Sequence, residues 1–243
     1  MSAIKKIIKS LILYLTNIPH ICSFLLFKLK YKDCRSRLDT SGNYFINTND
    51  FRHDLPVYSC GVGGNIEFDI EINNKTNAKV YLFDFTPGVP EYIEECNLSD
   101  DFHFEEVGIW NQDTEIEIPY ILSKFGNVKT MSITNIYDFN LTMKRPVKRI
   151  PTLMKQFGHK EIGVLKLDIE GAALSVLEDC HNEKIFPNII LGEIERDPKN
   201  PKQFTKQFNA LIANLKGVGY EVYMDTSDMK RFFLSIEIYC VKK

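Results

Sequence analysis

The chain has 243 residues, a formal net charge of -2 and a sequence pI near 6.2. That length suits one large α/β domain with extra chain at one end, and it buries a sizeable core. The charge balance leaves no basic footprint for nucleic acid and points to a small or neutral partner. Six cysteines, Cys22, Cys34, Cys60, Cys96, Cys180 and Cys240, stand without a C-x-x-C pair, most of them inside apolar runs. There a thiol behaves as a small hydrophobe, so a reducing compartment, the cytoplasm, is the simpler inference.

Residues 1–37 differ in composition from the rest. Lys5, Lys6 and Lys9 precede an apolar segment, Leu11 to Phe27, and Lys28, Lys30, Lys32, Arg35 and Arg37 follow it. This is an apolar and basic helical extension, suited either to lying on a membrane surface among anionic head groups or to packing on the domain. Asn17-Ile18-Pro19-His20 interrupts the segment, which argues against a spanning helix. Residues 38–54, rich in polar turn formers, read as a linker into the first strand.

The domain then occupies 55–243. Leu55 to Cys60 is an apolar strand ending at Gly61-Val62-Gly63-Gly64; Ile66, Phe68, Ile70 and Ile72 mark a helix, and Val80 to Phe83 a second strand closed by Asp84. This is a βαβ unit of nucleotide-binding type. Glycine is needed where the chain turns sharply beside a ligand. An acid about 20 residues on can accept hydrogen bonds from ribose hydroxyls. A dinucleotide fingerprint wants a third glycine, where this chain has Ile66, so a smaller and less anionic nucleoside is favoured over a pyrophosphate. A tight turn with no ligand is the plainer alternative.

Val89 to Cys96 reads as a short helix and Phe102 to Ile109 as the third strand, placing Val107, Gly108 and Ile109 beside a nucleoside base. Thr114 to Tyr120 and Lys129 to Ile136 read as short strands of an insertion. Val164 to Leu167 is a further strand, with Asp168 and Glu170 at its carboxyl end, Gly171 turning the chain and Ala172 opening a helix. In an open α/β sheet, ligands bind outside the carboxyl ends of the strands, so both acids face the site of the first glycine turn, although either could merely cap the helix. Asn188 to Ile194, a helix over Phe204 to Leu215, and strands Tyr220 to Met224 and Phe232 to Val241 complete the sheet. The histidines show no ligand spacing, and no metal site is expected.

The run L-K-L-D-I-E-G-A at Leu165 to Ala172 resembles the signature of the FkbM-type S-adenosylmethionine-dependent methyltransferases. The runs V-Y-S-C-G-V-G-G-N-I-E-F-D from Val57 and L-F-D-F-T-P from Leu82 are similar to one branch of that family, as is the helix Arg149 to His159. The resemblance implies a Rossmann-like class I methyltransferase fold, with a seven-stranded, mostly parallel sheet, helices on both faces and a C-terminal antiparallel hairpin. It also implies methyl transfer from S-adenosyl-L-methionine to oxygen, most often on a sugar, glycan or polyketide hydroxyl.

Carried over by position, Ser59, Gly61, Gly63 and Asn65 would line the methionine part of the cofactor, Asp84 would hold the ribose, and Val107 and Gly108 would flank the adenine. Asp168 and Glu170 would face the transferred methyl, one as base, with Glu193 orienting the acceptor. Two departures stand out. Ala173 replaces the family's second glutamate after E-G-A, and Ser59-Cys60 stands where many class I enzymes carry an acid before the first glycine. An inactive nucleoside- or glycan-binding module and a dinucleotide-dependent oxidoreductase stay open as alternatives.

Overall fold

The computed structural model describes residues 32–33, 39–41, 44–122, 128–131, 141–197, 199–225 and 234–243. Most of the extension expected over 1–37 therefore lies outside the described residues, as do 132–136 of the second insertion strand and the turn at 226–228.

The chain opens with β1 (Lys32–Asp33) and the hairpin β2 (Asp39–Ser41) and β3 (Tyr44–Ile46), followed by a single 3-10 turn at Thr48–Asp50. The stretch expected as a linker thus carries structure of its own. Its anchors are Ile46 and Phe51, both buried against one face of the main sheet, and Tyr239, whose hydroxyl donates to Asp50 Oδ2 at 3.0 Å.

The βαβ unit forms as its periodicity predicts: β4 (Val57–Cys60), α1 (Glu67–Thr76) and β5 (Val80–Phe83). After α2 (Val89–Glu95) comes β6 (Phe102–Glu105). The strand expected over Phe102 to Ile109 is broken. Val107 N–H donates back to Glu105 O at 2.8 Å, and Gly108–Ile109 leave as β7 for a second sheet. That sheet has the order β7-β10-β8-β9, with β8 (Thr114–Leu122), β9 (Val128–Met131) and β10 (Leu141–Lys148). β10 was not anticipated, because Lys144, Arg145 and Pro146 break the pattern of a strand. It pairs antiparallel with β8, with Pro146 opposite Glu115.

Then follow α3 (Ile150–Phe157), β11 (Val164–Leu167), α4 (Ala173–Asn182), β12 (Ile189–Glu195), α5 (Pro201–Gly217), β13 (Tyr220–Met224) and β14 (Ser235–Lys242). α5 starts on a proline at its first position, where the missing N–H is no loss. It buries Phe204, Phe208, Leu211, Ile212 and Leu215, one stripe of a 3.6-residue period. Each such side chain contributes about 1.5–3 kcal/mol of burial.

The main sheet runs β1-β13-β14-β12-β11-β4-β5-β6. Seven of these strands make the expected mostly parallel sheet, in which β14 alone runs antiparallel to both neighbours, and the two-residue β1 extends its edge. One face is covered by α3, α4 and α5, the other by α1, α2 and β3, with a hydrophobic cluster on each side. The chain leaves β4 toward β5 on one side and β11 lies on the other, so the strand order reverses between β4 and β11 and opens a crevice at their carboxyl ends. In β4 and β11 all eight residues are buried, as strands covered on both faces should be. Two of the eight are polar, Ser59 and Lys166, and they are register partners.

Candidate active site

The crevice is built on the turn after β4. Gly61 has φ +80 and Gly63 φ +58. A Cβ on Gly61 would lie 1.7 Å from the carbonyl oxygen of Asp168, so the loops after β4 and β11 meet there at a distance only glycine allows. Asp84 fixes the turn. Its Oδ2 accepts the Val62 and Gly63 N–H groups, each at 2.8 Å, and its Oδ1 accepts Thr86 N–H at 2.7 Å. A carboxylate has about four lone-pair positions, so roughly one, on Oδ1, is left for a ligand hydroxyl.

The resulting cleft has a volume of about 290 Å³. At one end Phe85, Ile109, Ile118 and Met131 make an apolar slot, the last three contributed by the second sheet; at the other stand Asp168 and Glu170. The Phe85 ring lies so close to Gly108 that a Cβ there would come within 1.8 Å of its Cε1. Of the cofactor residues expected from the sequence, Gly61, Gly63, Asp84 and Gly108 line this cleft. Asn65 lines a smaller neighbouring cavity, and its Oδ1 accepts the Glu67 N–H at 2.8 Å, as a cap does. Ser59 is fully buried in β4 and Val107 is packed in the core; neither is on the cleft wall.

The acidic end gathers more carboxylates than the motif alone suggests. Tyr44 donates its hydroxyl to Asp168 Oδ2 at 2.6 Å. Burial first, then the charge of Asp168, pushes the Tyr44 hydroxyl far above its usual range, so it stays a donor. Glu170 sits at the mouth with φ +37, a left-handed conformation rare for such a residue, and Gly171 follows at φ +90. Gly171 N–H donates to Glu195 Oε2 at 2.8 Å, which holds this strained corner. Glu193 accepts the Ser235 hydroxyl on its Oε1 at 2.5 Å.

Desolvation, with the charges of Asp168 and Glu193 adding to it, raises the Glu170 carboxyl to about 7. Glu195 is raised to about 8, chiefly by desolvation, against which its backbone N–H donors act. Among the described residues, no three His, Cys, Asp or Glu side chains come together as a metal ion would need. Sequence reasoning missed Tyr44, Lys166 and Glu195. Glu195 was within reach, being two residues beyond Glu193 on the same strand, and Lys166 is conspicuous as a charge inside an apolar strand. Tyr44 carries no local signal.

Residues 43–222 match the family description Methyltransferase FkbM domain, well over half of the 243 residues. No curated protein matches the sequence significantly. Among solved structures, a Clostridium thermocellum protein described as an rRNA-methylase aligns at 12% identity, covering 78% of this chain and 86% of its own, with a TM-score of 0.43. Precorrin-6y C5,15-methyltransferase from Geobacter metallireducens aligns at 11% identity over 78% and 80%, TM-score 0.40. The Methanococcus jannaschii fibrillarin pre-rRNA processing protein aligns at 9% over 85% and 82%, TM-score 0.43. These likenesses are too distant to bear on what this chain binds. The family match needs no help from them: it contains the glycine turn, Asp84 and the D-I-E-G corner, and the chain belongs to the FkbM methyltransferase domain family.

Proposed function

We propose that the protein is an O-methyltransferase that uses S-adenosyl-L-methionine to methylate a hydroxyl of a sugar, glycan or related small molecule. The observation that carries this reading is the pairing, within one cleft, of a glycine turn latched by Asp84 with the acids Asp168 and Glu170 at the end of β11. The cofactor fits the residues present. The apolar slot of Phe85, Ile109, Ile118 and Met131 suits an adenine, the remaining Oδ1 position of Asp84 a ribose hydroxyl, and the turn at Gly61 and Gly63 leaves its backbone open to the methionine end.

When bound, the cofactor supplies a methyl group already activated on a sulfonium. What is left for the chain is to align an acceptor hydroxyl, exclude water and receive a proton. Glu170, at the mouth and ionised above about pH 7, is the group suited to accept that proton. Asp168, engaged by Tyr44, contributes negative charge that raises Glu170, and Glu193, close enough to add to that effect, would orient the acceptor. A cleft walled by Asp168 and Glu170 presents carboxylate hydrogen-bond acceptors, suited to a polyhydroxylated acceptor and unfavourable to phosphates.

The test is transfer of labelled methyl from S-adenosylmethionine to a panel of glycans and small polyols. Base-stable methyl ethers formed by the natural chain, and lost in Glu170→Gln with binding of S-adenosylhomocysteine retained, are expected. Equal turnover by the amide variant, or label found on nucleic acid in preference to carbohydrate, would overturn the assignment.

A further inference from the structure

The two polar residues among the buried residues of β4 and β11 both lie under the glycine turn. Lys166 is only 3% exposed and Ser59 is completely covered. The Lys166 ammonium donates to Gly61 O at 3.1 Å and, at 3.4 Å, to Ser59 Oγ. It stands 5.1 Å from the centre of the Tyr44 ring and 6.0 Å from that of Phe68. Asp69, in the first turn of α1, is completely covered as well. Burial holds its carboxyl above the usual range, and the charge of Lys166, then the Ser59 hydroxyl, act the other way. A cation so deeply buried is costly unless hydrogen bonds and an opposite charge compensate it. Here two oxygens, two ring faces and Asp69 do so.

The consequence falls on one peptide group. The carbonyl between Gly61 and Val62 accepts from Lys166, and the N–H of that same peptide donates to Asp84 Oδ2 at 2.8 Å. One peptide earlier, Gly61 N–H donates to Phe83 O at 2.9 Å. The turn is thus tied to β5 on one side and to β11 on the other at the residue where φ is +80. Lys166 is the register partner of Ser59, two residues short of Gly61, so a long side chain is needed to span the interval of about 7 Å. We propose that Lys166, backed by Asp69, is a positioning residue for methyl transfer: it sets the Gly61–Val62 peptide, and through Val62 N–H the Asp84 carboxylate, before any ligand arrives. This rests on the reading of the main cleft as an S-adenosylmethionine site. A turn already ordered spares the ligand the entropy of ordering it, which appears as affinity. It also accounts for a charged residue in the middle of an apolar strand.

The experiment is calorimetric titration of the full chain with S-adenosylhomocysteine and with 5′-methylthioadenosine, which keeps the nucleoside and thioether and lacks the amino acid. Lys166→Met should weaken both ligands by one common factor, about 10- to 100-fold, the worth of a charge-assisted hydrogen bond, because the ribose contact at Asp84 slackens with the turn. The double variant Asp69→Asn/Lys166→Met leaves no buried charge alone; it should regain thermal stability and keep the lowered affinity. A folded Lys166→Met protein that binds both ligands like the natural chain would overturn the proposal, as would a double variant that regains affinity together with stability. A loss confined to S-adenosylhomocysteine would overturn it too, since Lys166 would then be a ligand contact. Should neither variant fold, hydrogen exchange in the natural chain decides: the Val62 amide should be protected before ligand is added, and free exchange that stops only on binding S-adenosylhomocysteine would contradict a preset turn. If neither ligand binds the folded natural chain, the cofactor reading itself falls and takes this proposal with it.

Discussion

Glu170 and Asp84 on the cleft wall, and Glu195 bonded to Gly171 beside it, show how differently three carboxyls can be employed. Glu170 must be ionised to take a proton, so turnover should rise with pH through about 7 and level off above it. Its amide variant should lose roughly 100-fold or more in kcat, the range general base catalysis contributes, with cofactor affinity intact. Glu195 and Glu170 both have carboxyls raised above the ordinary glutamate value of 4.5. The folded state therefore holds protons that the unfolded chain has released, and stability should fall as pH rises from about 4.5 to about 8. Thermal melts across that range measure this, and Glu195→Gln, which keeps an acceptor for Gly171 N–H, should flatten the slope; an unchanged slope would mean that Glu195 is not the group responsible. Asp84 is different again, because it organises backbone. Asp84→Ala strands the N–H groups of Val62, Gly63 and Thr86 and should lower stability by about 2–4 kcal/mol, so that any loss of cofactor affinity reports the turn as well as the ribose contact. Sequence pattern placed Asp84, Asp168 and Glu170 at strand ends correctly, yet nothing in it hinted that three amides already occupy Asp84.

The glycine turn and the D-I-E-G corner hold each other in place. Gly61→Ala would set a Cβ 1.7 Å from Asp168 O at a φ of +80, and should unfold the protein or destabilise it by roughly 3 kcal/mol or more. At Gly63 a Cβ would meet nothing within 4 Å, and alanine there should cost only about 1 kcal/mol, the penalty of its positive φ. Denaturant melts of the two variants test the difference; similar losses would contradict the close approach of the two loops. Elements with a strong local period were legible: β4, β5, β11 and β13 fall within the stretches that periodicity marks, and α5 follows its apolar stripe. The second sheet was legible only in part. Its β10 is held by pairing with β8 and not by its own pattern, and β7 leaves the third strand because the chain kinks at Val107.

Across the fold, what escaped the sequence is what joins distant segments. Tyr44 meets Asp168 across 124 residues, and Lys166 meets Ser59 across 107. A stretch rich in Asn, Ser and Asp looks like connecting chain until Tyr44 and Ile46 are seen packed on the sheet. The doubly covered sheet and the reversal of strand order between β4 and β11 were, by contrast, implied by apolar strands alternating with helices and by acids placed at strand ends. The resemblance in the D-I-E-G and G-V-G-G runs led to the same family that the match over residues 43–222 establishes. Ile66, buried in the core under α1 where a third glycine would otherwise admit close packing, is the feature that favours the proposed S-adenosylmethionine site over a dinucleotide one. Titration of the full-length chain with S-adenosylhomocysteine and, separately, with NAD puts this to the most direct test. Micromolar binding of S-adenosylhomocysteine with no heat from NAD is expected; NAD binding as tightly, or a folded protein that binds neither, would contradict it.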